Sequence, residues 1–157
     1  MALFEWLELT ALADWVAGSL WGYPITLTAH GIGLAIVVGI IFMLCLRLLG
    51  RFDGLPYGAV LSYMKVAWAG FLLNFVSGFM LFSAQATVFV VSLPFLIKIA
   101  AILVAAVIAA LLQEKVRLGA ADWDAGADVP GDVKSLCVLS LLLWSVAIIA
   151  GRLIAYL

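Results

Sequence analysis

Charge is what this 157-residue chain has least of: 11% of its residues are charged, against 68% hydrophobic. A water-facing domain carries about a quarter charged residues. A chain this short keeps much of its surface exposed, so it has no interior large enough to hide the excess. The mean hydropathy of +1.29 makes lipid the solvent for most of it. One integral membrane domain over residues 1–157 is the expectation.

Other scarcities exclude whole classes. A net charge of −1 leaves no basic surface for a nucleic acid. The two cysteines, Cys45 and Cys137, have neither CxxC nor zinc-finger spacing and read as buried apolar thiols. No Lys or Arg precedes Arg47, whereas Glu5, Glu8 and Asp14 do, so no cleavable signal peptide is expected. The acids of the last link, Asp122, Asp124, Asp128 and Asp132, miss calcium-loop spacing. No Asp or Glu falls in an apolar run, so no Ser-His-acid triad can form there. GIG at 31–33 sits inside an apolar run rather than after a strand, which makes it packing and not a nucleotide fingerprint.

What is present is four apolar runs, each near the ~20 residues that cross the hydrocarbon as a helix. They cover about 24–46, 61–82, 88–112 and 136–157, and predict an all-α, four-helix transmembrane bundle. The last link, 113–135, is the one clearly soluble passage and reads as a mobile loop. Arg47, Arg51 and Lys65 flank the first link, and Lys115, Arg117 and Lys134 the third, while the second link has no charge. Positive charge stays inside. Both termini are therefore expected on the periplasmic side of a bacterial inner membrane.

Residues 1–22 are apolar but carry three acids on different faces, so they read as an interfacial helical segment of one or two short helices. Trp6, Trp15, Trp21 and Tyr23 suit the headgroup level. Small residues recur at helical spacing in every span: Ala29 with Gly33, Ala35 with Gly39, Gly70 with Asn74 and Gly78, Ala101 with Ala105 and Ala109, and Ala147 with Gly151. In lipid, close backbone approach holds helices together, so these predict tight packing. CLRLLGRFDG and KVRLGAADWDAG echo each other at an offset of 70 residues, which suggests two hairpins of parallel sense.

The lone histidine, His30, is followed by sixteen uncharged residues before Arg47. It falls roughly 9 Å from the outer end of the first span, Lys98 roughly 15 Å down the third, and Arg152 roughly 8 Å down the fourth. Asn74, Ser77 and Gln85 come from the second span and its end, at middle to outer depth. Ionisable groups inside a membrane normally face the bundle interior and have a partner. Three basic groups at one depth, with no acid among them, call for an anionic ligand. The plain readings are that Arg152 and Lys98 snorkel, and that His30, helped by Thr26 one turn away, hydrogen-bonds a neighbouring helix. The sharper reading is haem b or a related tetrapyrrole, with His30 as metal ligand, Lys98 and Arg152 pairing with propionates, and Asn74 and Ser77 completing the site. A single histidine excludes bis-histidine ligation within one chain, and Met80 is the one thioether at comparable depth.

The runs WGYPITLTAHGIGLAIVVG, LRLLG, SGFMLF and PFLIKIAAIL resemble an uncharacterised bacterial family of small four-span membrane proteins. A His in span one and a Lys early in span three are more distantly similar to HemJ-type protoporphyrinogen oxidases and to CopD-like copper-resistance membrane domains. That resemblance implies His30 and Lys98 as functional positions and a haem or porphyrin as ligand; with the matched depth of the three basic groups, the expectation is a redox or electron-transfer role. Copper would want a cluster of soft ligands, but Met43 and Cys45, two residues apart, point to different helix faces. Two alternatives stay open: a non-catalytic subunit of a larger membrane complex or homo-oligomer, and a quinone or lipid site built from the same residues.

Overall fold

The chain's four prolines mark four starts. Pro24 lies in the first turn of α3 (Gly22–Leu48), Pro94 is the second residue of α6 (Leu93–Asp124), and Pro56 and Pro130 stand immediately before α4 (Tyr57–Ser83) and α7 (Gly131–Leu153). Proline lacks an N–H and has a fixed φ, so a helix start is where it costs nothing. The computed structural model describes residues 1–154 and 156, and among these every regular element is a helix. Three short helices complete it: α1 (Ala2–Glu8) and α2 (Ala11–Gly18) before α3, and α5 (Ala86–Phe89) between α4 and α6.

The four long helices are long and apolar enough to cross a membrane. Their outward faces stay apolar: Leu72, Leu103, Val107 and Ile149 are each about 60% exposed. Such surface needs lipid against it, and a helix satisfies every backbone group within itself there. This is an integral membrane protein with apolar contact to the bilayer.

Successive long helices run in alternating directions. α3 packs along α4 and α6 along α7, and the two hairpins meet less extensively, α4 against α6 and α3 against α7. Close approach within the first hairpin depends on Gly33. A Cβ there would stand 2.7 Å from the Asn74 backbone nitrogen and 2.8 Å from the Gly70 carbonyl oxygen. The predicted small faces at Ala101, Ala105, Ala109 and Ala147 are buried as well. Ala35 and Gly39 are not used: both are exposed, and nothing lies within 4 Å of a Cβ built on Gly39.

Packing is uneven along the bundle. Leu44, Leu48, Val60, Met64, Leu112, Val116, Val133 and Cys137 form a closed core toward the end where α3 meets α4. Arg47 is pinned in that end. Its Nε donates to the Leu55 carbonyl at 2.6 Å and its guanidinium lies 4.1 Å from the Tyr57 ring centre. At the opposite end, residues 93–100 of α6 include no buried position, and the bundle opens.

Two expectations need correction. The 113–135 link is not one mobile loop: α6 continues to Asp124 and α7 begins at Gly131. Gln, Glu, Lys, Arg, Leu and Ala in that stretch are good helix formers, and tertiary contacts finish the work. Trp123 packs edge-on to Tyr57 with centroids 5.6 Å apart, and the Asp124 carboxylate accepts the Tyr57 N–H at 3.1 Å. That carboxylate supplies one of the first-turn partners α4 otherwise lacks. The third span begins at Leu93 rather than 88, because α5 takes up residues 86–89, and α7 ends at Leu153, with residue 157 outside the described residues.

Residues 1–22 do hold two short helices. Thr10 caps α2 by accepting the Ala13 N–H, and α2 buries Ala13 and Val16. α1 buries nothing and is held by Phe4 edge-on to Phe82 and by Glu8. The Glu8 carboxylate accepts from both the N–H and the hydroxyl of Thr87, each at 2.8 Å.

Candidate functional site

His30 projects from α3 toward α4, and Gly78 makes room for its ring: a Cβ there would sit 3.0 Å from His30 Cε1. Its Nδ1 lies 3.1 Å from the Asn74 carbonyl oxygen and 3.2 Å from Ser77 Oγ. A carbonyl only accepts, and the Ser77 hydroxyl proton is already given to the Leu73 carbonyl at 2.6 Å. Nδ1 therefore carries the proton, which leaves the Nε2 lone pair free. In return the Asn74 side-chain amide donates to the His30 carbonyl at 2.9 Å. Thr26, expected to help, turns instead to its own helix and donates to the Gly22 carbonyl.

Two cavities adjoin this histidine. The smaller, about 280 Å³, lies between α4 and α6 and is lined by Phe71, Asn74, Phe75, Phe79, Ile99 and Ile102 besides the shared wall. The larger, about 530 Å³, runs toward α2, α5 and the end of α7, past Tyr23, Gln85 and Arg152. The shared wall is His30, Gly78, Phe82, Phe95 and Lys98. Phe82 and Phe95 stack with centroids 5.3 Å apart, and Phe89 adds a third ring.

His30, Lys98 and Arg152, from three helices, thus line one cavity, as their common depth suggested. Lys98 is half-buried and lies over Gly151, whose missing side chain leaves space for its Nζ. It has no hydrogen bond or ion pair among the described residues. Arg152 is exposed at the rim, with Tyr156 Oη 3.5 Å from its Nη2. Asn74 lines the smaller cavity. Ser77 is buried behind His30 and reaches neither cavity, so its contact is with the imidazole. Met80 lines neither.

The aromatic wall went unread in the sequence, although Phe71, Phe75 and Phe79 recur every four residues and so share a helix face. Among the described residues no group of three or more His, Cys, Asp or Glu could hold a metal ion. The fold and site together define a four-helix membrane-spanning bundle with an aromatic, basic-edged cleft at its open end. No known family, curated protein or solved structure matches the chain.

Proposed function

We propose that this protein binds haem b or a related tetrapyrrole in the cleft beside His30, in a bacterial inner membrane. Both termini, and the cleft, would face the periplasm, with α1 and α2 lying in the membrane interface. The observation that carries the reading is the state of His30. Its Nδ1–H is committed to the Asn74 carbonyl and its Nε2 lone pair is free beside the cavities. Ligating histidines are held in this way, with the second nitrogen donating to a backbone carbonyl or a carboxylate.

The remaining residues fit the group. A bare metal ion wants three or four protein ligands, whereas a tetrapyrrole brings four nitrogens and needs as few as one. The two adjoining cavities, about 280 and 530 Å³, together fall within the ~300–1,000 Å³ typical of cofactor sites. Phe82 and Phe95 offer flat apolar faces, and Lys98 and Arg152 offer cations to propionates without competing acids. Bound haem would supply one-electron redox chemistry. This chain's part is to hold Nε2 in place through Asn74 and Ser77, and to exclude water with the phenylalanines.

Absorption spectroscopy of the detergent-purified protein, expressed with ample haem, is the test. A Soret band that His30→Ala abolishes is the expected result, and its absence from the wild type would sink the reading. A subunit role is the second reading, favoured by the exposed Ala35–Gly39 face, which no helix among the described residues covers. Co-purification with a larger complex, lost on Gly39→Leu, would support it.

A further inference from the structure

The smaller cavity opens sideways, which a tetrapyrrole site does not require. Its outer edge is Phe75, Phe79 and Ile99, which are 64%, 47% and 38% exposed. They belong to the lipid-facing surfaces of α4 and α6, so the opening gives onto acyl chains. The larger cavity ends instead among polar groups, Gln85 and Arg152. Because the two share His30, Gly78, Phe82, Phe95 and Lys98, a molecule lying along both has one end in the bilayer and the other at the rim.

The charge at the polar end is one-sided. No Asp or Glu lines either cavity, and neither Lys98 nor Arg152 has a carboxylate partner among the described residues. Three other basic groups do, Lys115 with Asp132, Arg117 with Glu114 and Arg47 with Asp53. Arg51, Lys65 and Lys134, also without a carboxylate partner among the described residues, are exposed and line neither cavity. Two cations with no ion-pair partner among the described residues, beside a lipid-open groove, complement an anionic head carrying an apolar chain.

We propose that this groove is a seat for an anionic membrane lipid. Its phosphate sits on Lys98 and Arg152, and one chain lies in the window between α4 and α6. This goes beyond the tetrapyrrole reading and does not depend on it. Because the same two cations serve both ligands, the lipid and the tetrapyrrole exclude each other.

The full chain, extracted from bilayers of equal phosphatidylglycerol and phosphatidylcholine, is weighed intact by native mass spectrometry. One phosphatidylglycerol should remain bound in preference to phosphatidylcholine. Lys98→Gln and Arg152→Gln should each lower its retention at least about fivefold, while Lys134→Gln at the far end of α7 leaves it unchanged. Ile99→Trp, which fills the window from an exposed position, should lower retention with both cations intact. Equal retention of the two lipids, or retention indifferent to Lys98→Gln and Arg152→Gln, would overturn the proposal. So would displacement of the lipid by glycerol phosphate at equal concentration, since that describes a phosphate site with no chain seat. A chain that keeps phosphatidylglycerol but never shows a Soret band leaves the lipid seat standing and removes the tetrapyrrole.

Discussion

Replacing Gly33 with alanine tests the fold and the site together. The new methyl carbon would lie 2.7 Å from the Asn74 backbone nitrogen, 2.8 Å from the Gly70 carbonyl oxygen and 3.1 Å from the Asn74 Cα. All three are backbone atoms of α4, so no rotamer change relieves the clash and the helices must part. Ordinary contact needs roughly 3.5 Å, hence a separation of about 0.8 Å. That movement carries the 3.1 Å His30 Nδ1 to Asn74 oxygen contact and the 2.9 Å Asn74 to His30 bond to or beyond hydrogen-bond range. Overpacking costs about 1–3 kcal/mol and each lost interhelical bond about 0.6 kcal/mol. The better helix propensity of alanine returns up to about 1 kcal/mol. The net expectation is a loss of about 2 kcal/mol. Gly31→Ala and Gly39→Ala are the controls, because a Cβ at either position meets nothing within 4 Å, and both should be neutral or stabilising. Thermal or denaturant unfolding of the three variants in one detergent measures the difference. A Gly33→Ala protein as stable as its two controls would refute the close approach of α3 and α4, and with it the tautomer assigned to His30.

Further outcomes follow from other contacts. Ser140→Ala should cost nothing, or stabilise by up to about 1 kcal/mol, because the buried Ser140 hydroxyl has no hydrogen-bond partner among the described residues; a clear loss of stability in the same unfolding assay would show a partner. Arg47→Met should destabilise by about 2 kcal/mol, since it removes a charge-assisted bond to the Leu55 carbonyl and the contact with the Tyr57 ring. Unchanged stability would mean that methionine packing makes up for both. Glu8→Ala removes the acceptor of both Thr87 bonds from a helix with no buried residue, so α1 amides should exchange with deuterium several-fold faster while α3 and α4 amides do not change. Exchange unaffected in α1 would show that Phe4 against Phe82 suffices to hold it.

The fold was legible because lipid leaves few choices. Four apolar runs separated by polar links have one economical solution in a bilayer, and the small residues at Gly33, Gly70 and Ala105 lie where that solution needs them. The link beyond residue 112 misled because Gly119 and the acids look like loop chemistry. In fact Gly119 lies flat under the Trp123 indole, and Asp124 is occupied with the first turn of α4. The first contact is one helical turn long and was open to reading, but the second joins residues 67 apart, so no window of sequence contains it. The same holds for Glu8 and Thr87, 79 residues apart. Depth along a helix is readable from residue counts, and that brought His30, Lys98 and Arg152 to one cavity. Azimuth is not, and this is why Ser77 was grouped with cavity residues although it stands behind the imidazole.

The site exists because the bundle is packed at one end only. Leu, Val and Met side chains fill the space around Leu44, Met64 and Leu112, so the hairpins cannot approach or slide there. Toward His30 the facing positions are glycine, alanine and phenylalanine. Gly78 and Gly151 contribute no side-chain volume, and their room is taken by the imidazole and by the Lys98 stem. A bundle that needed only stability would fill this end with leucine, as it does the other. Instead it carries an imidazole with one nitrogen anchored and an amine with no acid beside it, both of which cost free energy in a low-dielectric setting. Under the proposed readings a ligand, rather than the protein, completes their bonding. The packed end then acts as the fixed hinge of a cleft whose width a ligand sets, so occupancy should stiffen α4 against α6 near Phe75 and Ile99 while leaving the core around Leu112 unchanged.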